Sequence, residues 1–182
     1  SDDDGVTWSS PINITSQIKK PEWSYLLQGP GKGITMTDGT LVFPAQFQDT
    51  PQNERLPRST IIYSRDHGET WQIGTGSFDD TTESQVVEIE PGVLMLNSRC
   101  NRENARVVMT TSDLGKTWQE HPTALTALID PRSCMASLID VEAELRGLAA
   151  VLDRRRPQDE AAKGLLLFSH PNSLAQRERI TI

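Results

Sequence analysis

The chain has 182 residues, a formal net charge of −7 and a pI of about 5.0, enough for one domain with its own core and a balance that argues against a nucleic-acid surface. Hydrophobic residues make up 36% and the mean hydropathy is −0.46; no apolar run approaches the roughly 18–20 residues of a membrane helix, so no transmembrane segment is expected. Cys100 and Cys134 form no metal or redox motif, and two buried thiols are favoured over a disulfide.

The first eight residues, SDDDGVTW, introduce a repeat. Residues 64–71 read SRDHGETW and residues 111–118 read TSDLGKTW, so all three fit [S/T]-x-D-x-G-x-T-W. In each unit the aspartate (Asp3, Asp66, Asp113) can accept bonds from turn N–H groups. The glycine (Gly5, Gly68, Gly115) supplies a positive φ, and the tryptophan (Trp8, Trp71, Trp118) is expected to pack into the core as the next strand begins. These are fold residues, not catalytic ones.

Between the first two turns the sequence predicts a short strand at Ile12–Thr15 and a loop with Trp23 and Tyr25. A Gly/Pro loop follows (Gly29, Pro30, Gly31, Gly33), then a strand at Ile34–Met36, a turn at Thr37-Asp38-Gly39 and a strand at Leu41–Phe47. The glycines do not fit a phosphate loop and read as a backbone turn that lines a pocket at most. A polar loop over 48–58 leads to a strand at Ser59–Ser64 and the second acidic turn. Residues 81–118 repeat the pattern: two alternating strands joined at Pro91-Gly92, a third strand, and the third acidic turn. Residues 119–133 are a loop holding His121, an ordinary loop residue. Two strands are expected within 134–153, with a helix as the alternative. Residues 153–164 form a charged hairpin loop in which the Arg154–Arg156 run is solvated. Leu165–Ser169 is a strand, and the sequence then runs into one more.

Units of roughly 40–50 residues with four antiparallel strands are blades of a β-propeller. About three and a half blades fit in residues 1–182, fewer than a closed ring needs, so the expectation is a single all-β domain, cut at both ends. Its central hairpin holds two notable charges. Glu83 opens one strand, just before Val86, Val87 and Ile89; Arg99 closes the next, just after Val93-Leu94-Met95-Leu96. In an antiparallel pair the start of one strand lies beside the end of the other, so the two meet at one rim. There they are either a surface ion pair, contributing roughly 0–1 kcal/mol, or half of an anion-binding site.

The three acidic turns are similar to the Asp boxes, or BNR repeats, of the sialidase (neuraminidase) superfamily. The intervening stretches YLLQGPGKGITMTDGTLVFPAQ, TESQVVEIEPGVLMLNSRCNRENARV and LLLFSHPNSLAQRERITI resemble sialidase segments. The resemblance implies a six-bladed propeller and an exo-α-sialidase, a retaining glycoside hydrolase that releases terminal sialic acid from glycoproteins, glycolipids and oligosaccharides without metal or organic cofactor. It implies that Glu83 is the base toward a catalytic tyrosine, and that Arg99 and Arg177 are the second and third arginines that hold the substrate carboxylate, with Arg179 the alternative to Arg177. The family's first arginine, its acid/base aspartate and its tyrosine fall outside this stretch; Tyr25 and Tyr63 are in the wrong places for the last. The family is secreted, periplasmic or lysosomal, and no targeting signal is visible here. A non-catalytic Asp-box propeller that binds glycans or proteins, and a trans-sialidase, are the competing readings.

The chemistry suits these residue types. A planar carboxylate takes bidentate, charge-assisted bonds from guanidiniums, which lysine does not reproduce. The same carboxylate, on the anomeric carbon, repels an acidic nucleophile. A tyrosine avoids that repulsion but, with a pKa near 10, needs a base. Sialidases with a tyrosine nucleophile are a named exception among glycosidases.

Overall fold

The computed structural model describes residues 1, 3–49, 54, 56–141 and 164–182. One helical turn, α1 (Thr15–Ile18), precedes a first sheet of β1 (Tyr25–Gln28), β2 (Ile34–Thr35), β3 (Leu41–Gln48), β4 (Arg58–Ser64) and β5 (Gln72–Ile73). A second sheet holds β6 (Thr81–Glu90), β7 (Val93–Cys100), β8 (Val107–Thr111) and β9 (Gln119–Glu120), and a third holds β10 (Ser137–Asp140), β11 (Leu166–Pro171) and β12 (Ile180–Thr181). All pairings are antiparallel, in the orders β1-β3-β4-β5, β6-β7-β8-β9 and β10-β11-β12. These are the expected blades, with the acidic turn joining the third strand to the fourth in the first two. Among the described residues no helix is long and apolar enough to cross a membrane.

The first blade's inner position is occupied by two short pieces. β1 pairs with residues 45–48 of β3 and β2 with residues 41–42. The Gly/Pro loop is the break between them, held by Gly29 N–H on the Pro44 carbonyl at 2.8 Å. A side chain at Gly31 would run into the Ser84 carbonyl of β6, and one at Gly33 into the Phe43 ring. These glycines let backbone pass between blades and are a turn, as expected.

Strand alternation assigns the faces. Val86, Leu94 and Leu96 join Val42, Ile61, Tyr63 and Leu114 in an apolar core between the first two sheets, continued by Cys100, Val107 and Met109. The opposite face of the second sheet, with Gln85, Asn97 and Arg106, meets the segment before β10: Gln85 Nε2 donates to the Ala136 carbonyl at 3.1 Å.

Each acidic turn repeats one bonding scheme. Asp66 accepts from Thr70 N–H at 2.9 Å and Thr70 Oγ1 at 2.5 Å, while Ser64 Oγ accepts from Gly68 N–H at 2.8 Å. Asp3 with Thr7 and Asp113 with Thr117 do the same. The threonine hydroxyl and N–H hold the Asp66 carboxyl down at about 2; the Thr117 N–H and hydroxyl do the same for Asp113, also about 2. The residue before each glycine, Asp4, His67 or Leu114, also has a positive φ, so the turn contains two left-handed residues, not one. Glycine has a second reason to be there: a β-carbon at Gly115 would lie 3.0 Å from the Trp118 ring.

Two expectations need correction. Trp8 is 78% exposed and folds back so that its Nε1 donates to the Gly5 carbonyl at 3.1 Å; no strand follows it to bury it, whereas Trp71 and Trp118 pack against the core clusters. The strand at Ile12–Thr15 is instead the approach to α1. Asn13 Oδ1 accepts from Thr15 N–H at 3.0 Å, an Asx turn that starts a helical turn, and Ile14 and Ile18, four apart, pack on the first sheet. Trp23, in the loop where it was expected, packs as loop aromatics ordinarily do: it is buried and stacks on Phe47 at 4.1 Å. Within 134–153, β10 is one strand; the remainder from residue 142 and the charged loop to residue 163 lie outside the described residues.

Candidate active site

Register places Glu83 and Arg99. Thr81 pairs with Cys100 and Ser84 with Ser98, so β6 takes three steps where β7 takes two. The extra residue is a β-bulge, a device that re-aims side chains at sheet rims, and it sets Thr82 and Glu83 opposite Arg99. Glu83 Oε2 accepts from Arg99 Nη1 at 2.7 Å, with the two side chains 29% and 26% exposed. The pair is half-buried at the rim, as the hairpin argument required; the bulge was not legible.

Two cavities share this pair. The larger, about 740 Å³, is lined by Tyr25, Gln46, Asp80, Thr82, Asn101 and Ser133 beside Glu83 and Arg99. Within its wall Arg99 Nε, Gln46 Oε1 and Thr82 Oγ1 are buried with no hydrogen-bond partner among the described residues. The smaller, about 250 Å³, is lined by Glu83, Arg99, Ser133, Cys134 and Arg177. Arg177 comes from the loop between β11 and β12, and its Nη2 donates to the Ser133 carbonyl at 3.3 Å. Arg179 lines neither cavity; it has φ +55°, and its carbonyl accepts from Asn172 N–H and Thr181 Oγ1. Arg99 and Arg177 therefore line one space from different blades, and Glu83, paired with Arg99, lines it too.

Tyr25, set aside on sequence grounds, stands on the wall of the larger cavity. Tyr63 does not: it is buried, with its hydroxyl on Gln72 Oε1 at 3.0 Å. Asp66 and Asp113 follow β4 and β8 at the strand ends opposite the Glu83–Arg99 rim.

A buried cluster behind the pair escaped sequence reasoning. Arg106, 0% exposed, donates through Nε to Asn97 Oδ1 at 2.8 Å, through Nη2 to the Asn97 carbonyl at 3.3 Å, and through Nη1 to the Cys134 carbonyl at 2.5 Å. Asp130 Oδ2 lies 3.5 Å from Nη1, and the Phe168 ring 5.8 Å from the guanidinium carbon. Burial pushes Arg106 down to about 10, still charged at neutral pH, and pushes the Asp130 carboxyl up. One signal was available. Arg106 immediately precedes β8, in which Val107 and Val108 are both core residues; beside a strand covered on both faces, a charge must be paired.

Residues 1–181 match the family described as a BNR repeat-like domain. The chain is 51% identical over its whole length to a sialidase of Bacteroides fragilis, covering 30% of that protein. It is 40% identical to a Clostridium perfringens sialidase over 65% of its length, covering 32% of that one. Among solved structures, the Hadza microbial sialidase Hz136 superposes with a TM-score of 0.82 at 54% identity, over 99% of this chain and 32% of the other. Trypanosoma rangeli sialidase in complex with 2,3-difluorosialic acid, described as a covalent intermediate, gives 0.61 at 28% identity over 86% of this chain and 23% of that one. The chain thus spans about a third of the length of these bacterial relatives. Repeated acidic turns, four-stranded blades and a family match along the whole sequence agree: the chain belongs to the BNR-repeat family of sialidase-type β-propellers.

Proposed function

We propose that the protein is an exo-α-sialidase that releases terminal sialic acid from glycans, and that this chain supplies Glu83, Arg99 and Arg177 to its site. The observation that carries the reading is the convergence of Arg99 and Arg177 on one cavity beside Glu83. Arg99 and Arg177 bind the substrate carboxylate and fix the anomeric carbon. Glu83 takes the proton of the family's tyrosine as its oxygen attacks that carbon; the glycan leaves with a proton from the family's aspartate. Water, giving a proton to that aspartate, then attacks from the face the glycan left; the bond from carbon to the tyrosine oxygen breaks, the tyrosine recovers its proton from Glu83, and two inversions retain the configuration. The relative captured as a covalent intermediate supports a two-step route.

Steady-state hydrolysis of a fluorogenic α-sialoside by the complete protein tests this. Release of free sialic acid at the α-anomer first, followed by NMR, is the expected result; no turnover, with glycan binding retained, would leave a binding propeller. A Trypanosoma rangeli sialidase mutant is described as displaying trans-sialidase activity, so a galactosyl acceptor belongs in the assay: transfer in place of hydrolysis would change the acceptor but not the roles of these residues.

A further inference from the structure

We propose that Arg106 is a positioning residue for the carboxylate pocket: its buried guanidinium fixes the strand that carries Arg99 against the segment on which Arg177 rests. The inference rests on the sialidase reading of Arg99 and Arg177. Asn97 and Arg99 are two apart on β7 and so share a face. Asn97 gives Arg106 both its side-chain and its main-chain oxygen. On the other side Arg106 holds the Cys134 carbonyl and faces Asp130. Ser133, next to Cys134, offers its carbonyl to Arg177. Two ties therefore join the strand of Arg99 to the segment under Arg177: a main-chain bond from Ser133 N–H to the Cys100 carbonyl at 3.2 Å, and the buried Arg106 fork behind it, with Phe168 beside the guanidinium.

The choice of residue is informative. A buried cation carries a desolvation penalty that an apolar side chain of similar volume avoids, so packing alone does not call for arginine here. What arginine adds is a planar fork whose donors point in fixed, divergent directions, here toward two different walls. Two guanidiniums hold one planar carboxylate only when their separation is set to within about 0.5 Å. The smaller cavity lies between the two walls this fork joins: Arg99 is two residues from Asn97, and Ser133, Cys134 and Arg177 line its other side.

A merely structural arginine and a positioning one differ in which ligand notices its loss. Inhibition constants, which do not depend on the folded fraction, are measured for free sialic acid and for its methyl ester in the complete protein. Arg106→Lys is expected to weaken the acid at least tenfold and the ester less than threefold, collapsing the preference for a carboxylate. For substrate, KM rises more than kcat falls. Asn97→Ala, which keeps the cation and removes one of its acceptors, is expected to move the acid at least threefold in the same sense and decides the matter if Arg106→Lys does not fold. An acid-to-ester ratio equal to wild type in the folded variant overturns the inference. A wild-type protein that prefers the ester, or binds neither, overturns the sialidase reading itself.

Discussion

Replacing Glu83 by glutamine separates a catalytic base from a rim ion pair, because the two roles differ by orders of magnitude. The amide oxygen can still accept from Arg99 Nη1, which now sits 2.7 Å from Oε2; only the charge and the basicity go. With both side chains roughly a quarter exposed, the lost ion pair costs about 1 kcal/mol at most, or a melting shift of about 2–4 °C in a domain of this size. A general base contributes about 10²–10⁴-fold in rate, equal to about 2.7–5.5 kcal/mol of barrier. The expected result in the complete protein is a kcat lower by that factor. KM should stay the same or fall, because Arg99 no longer shares its charge with a neighbouring carboxylate and is freer to take the substrate's. Steady-state kinetics on a fluorogenic sialoside with thermal melting alongside reads both quantities. A kcat within threefold of wild type, with the small melting shift present, would falsify the base assignment and leave Glu83 as a structural partner of Arg99.

Arg99→Lys keeps the charge but removes the fork; losing one charge-assisted bond worth about 1.5–3 kcal/mol should weaken competitive inhibition by sialic acid about 10–100-fold, and inhibition unchanged from wild type would take Arg99 out of the clamp. Tyr25→Phe should leave kcat within a few-fold, since the family's tyrosine follows the third arginine; loss of the covalent intermediate with a fluorinated sialoside trap would instead make Tyr25 the nucleophile. Asp66→Ala should lower the melting temperature with kcat/KM per folded molecule unchanged, because it deletes the acceptor of both Thr70 bonds. The pH dependence follows the same group: Asp66 and Asp113 titrate near 2 in the fold against 3.8 ordinarily, so their contribution is complete above about pH 4 and disappears as pH falls through about 2. Melting curves of wild type and Asp66→Asn across that window should converge at the acid end, and parallel curves would refute the assignment.

The parts of this molecule that sequence made legible are those set by local geometry. An Asp, a Gly and a Thr at fixed offsets close a turn from their own side chains, and the period-2 pattern over 86–96 names a hairpin and hence the meeting of Glu83 with Arg99. What was illegible depended on neighbours. Trp8 has the same local sequence as Trp71, yet burial needs a following strand. The single-residue bulge at Thr82–Glu83 has no sequence mark, because it is a mismatch between two strands and not a property of either. Arg106 stands four residues after Arg102, which is exposed and paired with Asp80; only the cover supplied by a third sheet makes one arginine a surface charge and the other the pivot of the pocket.

The second and third acidic turns follow β4 and β8, at the far ends of strands whose near ends form the pocket rim. β7, with eight residues, is about 26 Å long at ~3.3 Å per residue, well beyond the roughly 7–10 Å over which substitutions couple energetically. The far rim also carries its own inter-blade tie, with Thr75 N–H and Oγ1 on the Gly115 carbonyl and Trp118 Nε1 on the Thr75 carbonyl. Robustness and chemistry are therefore written on separate edges of the same strands. A lineage, or an engineer, can tune thermal tolerance at positions such as His67 and Leu114 while the catalytic edge is selected independently, and gains made on the two edges should add.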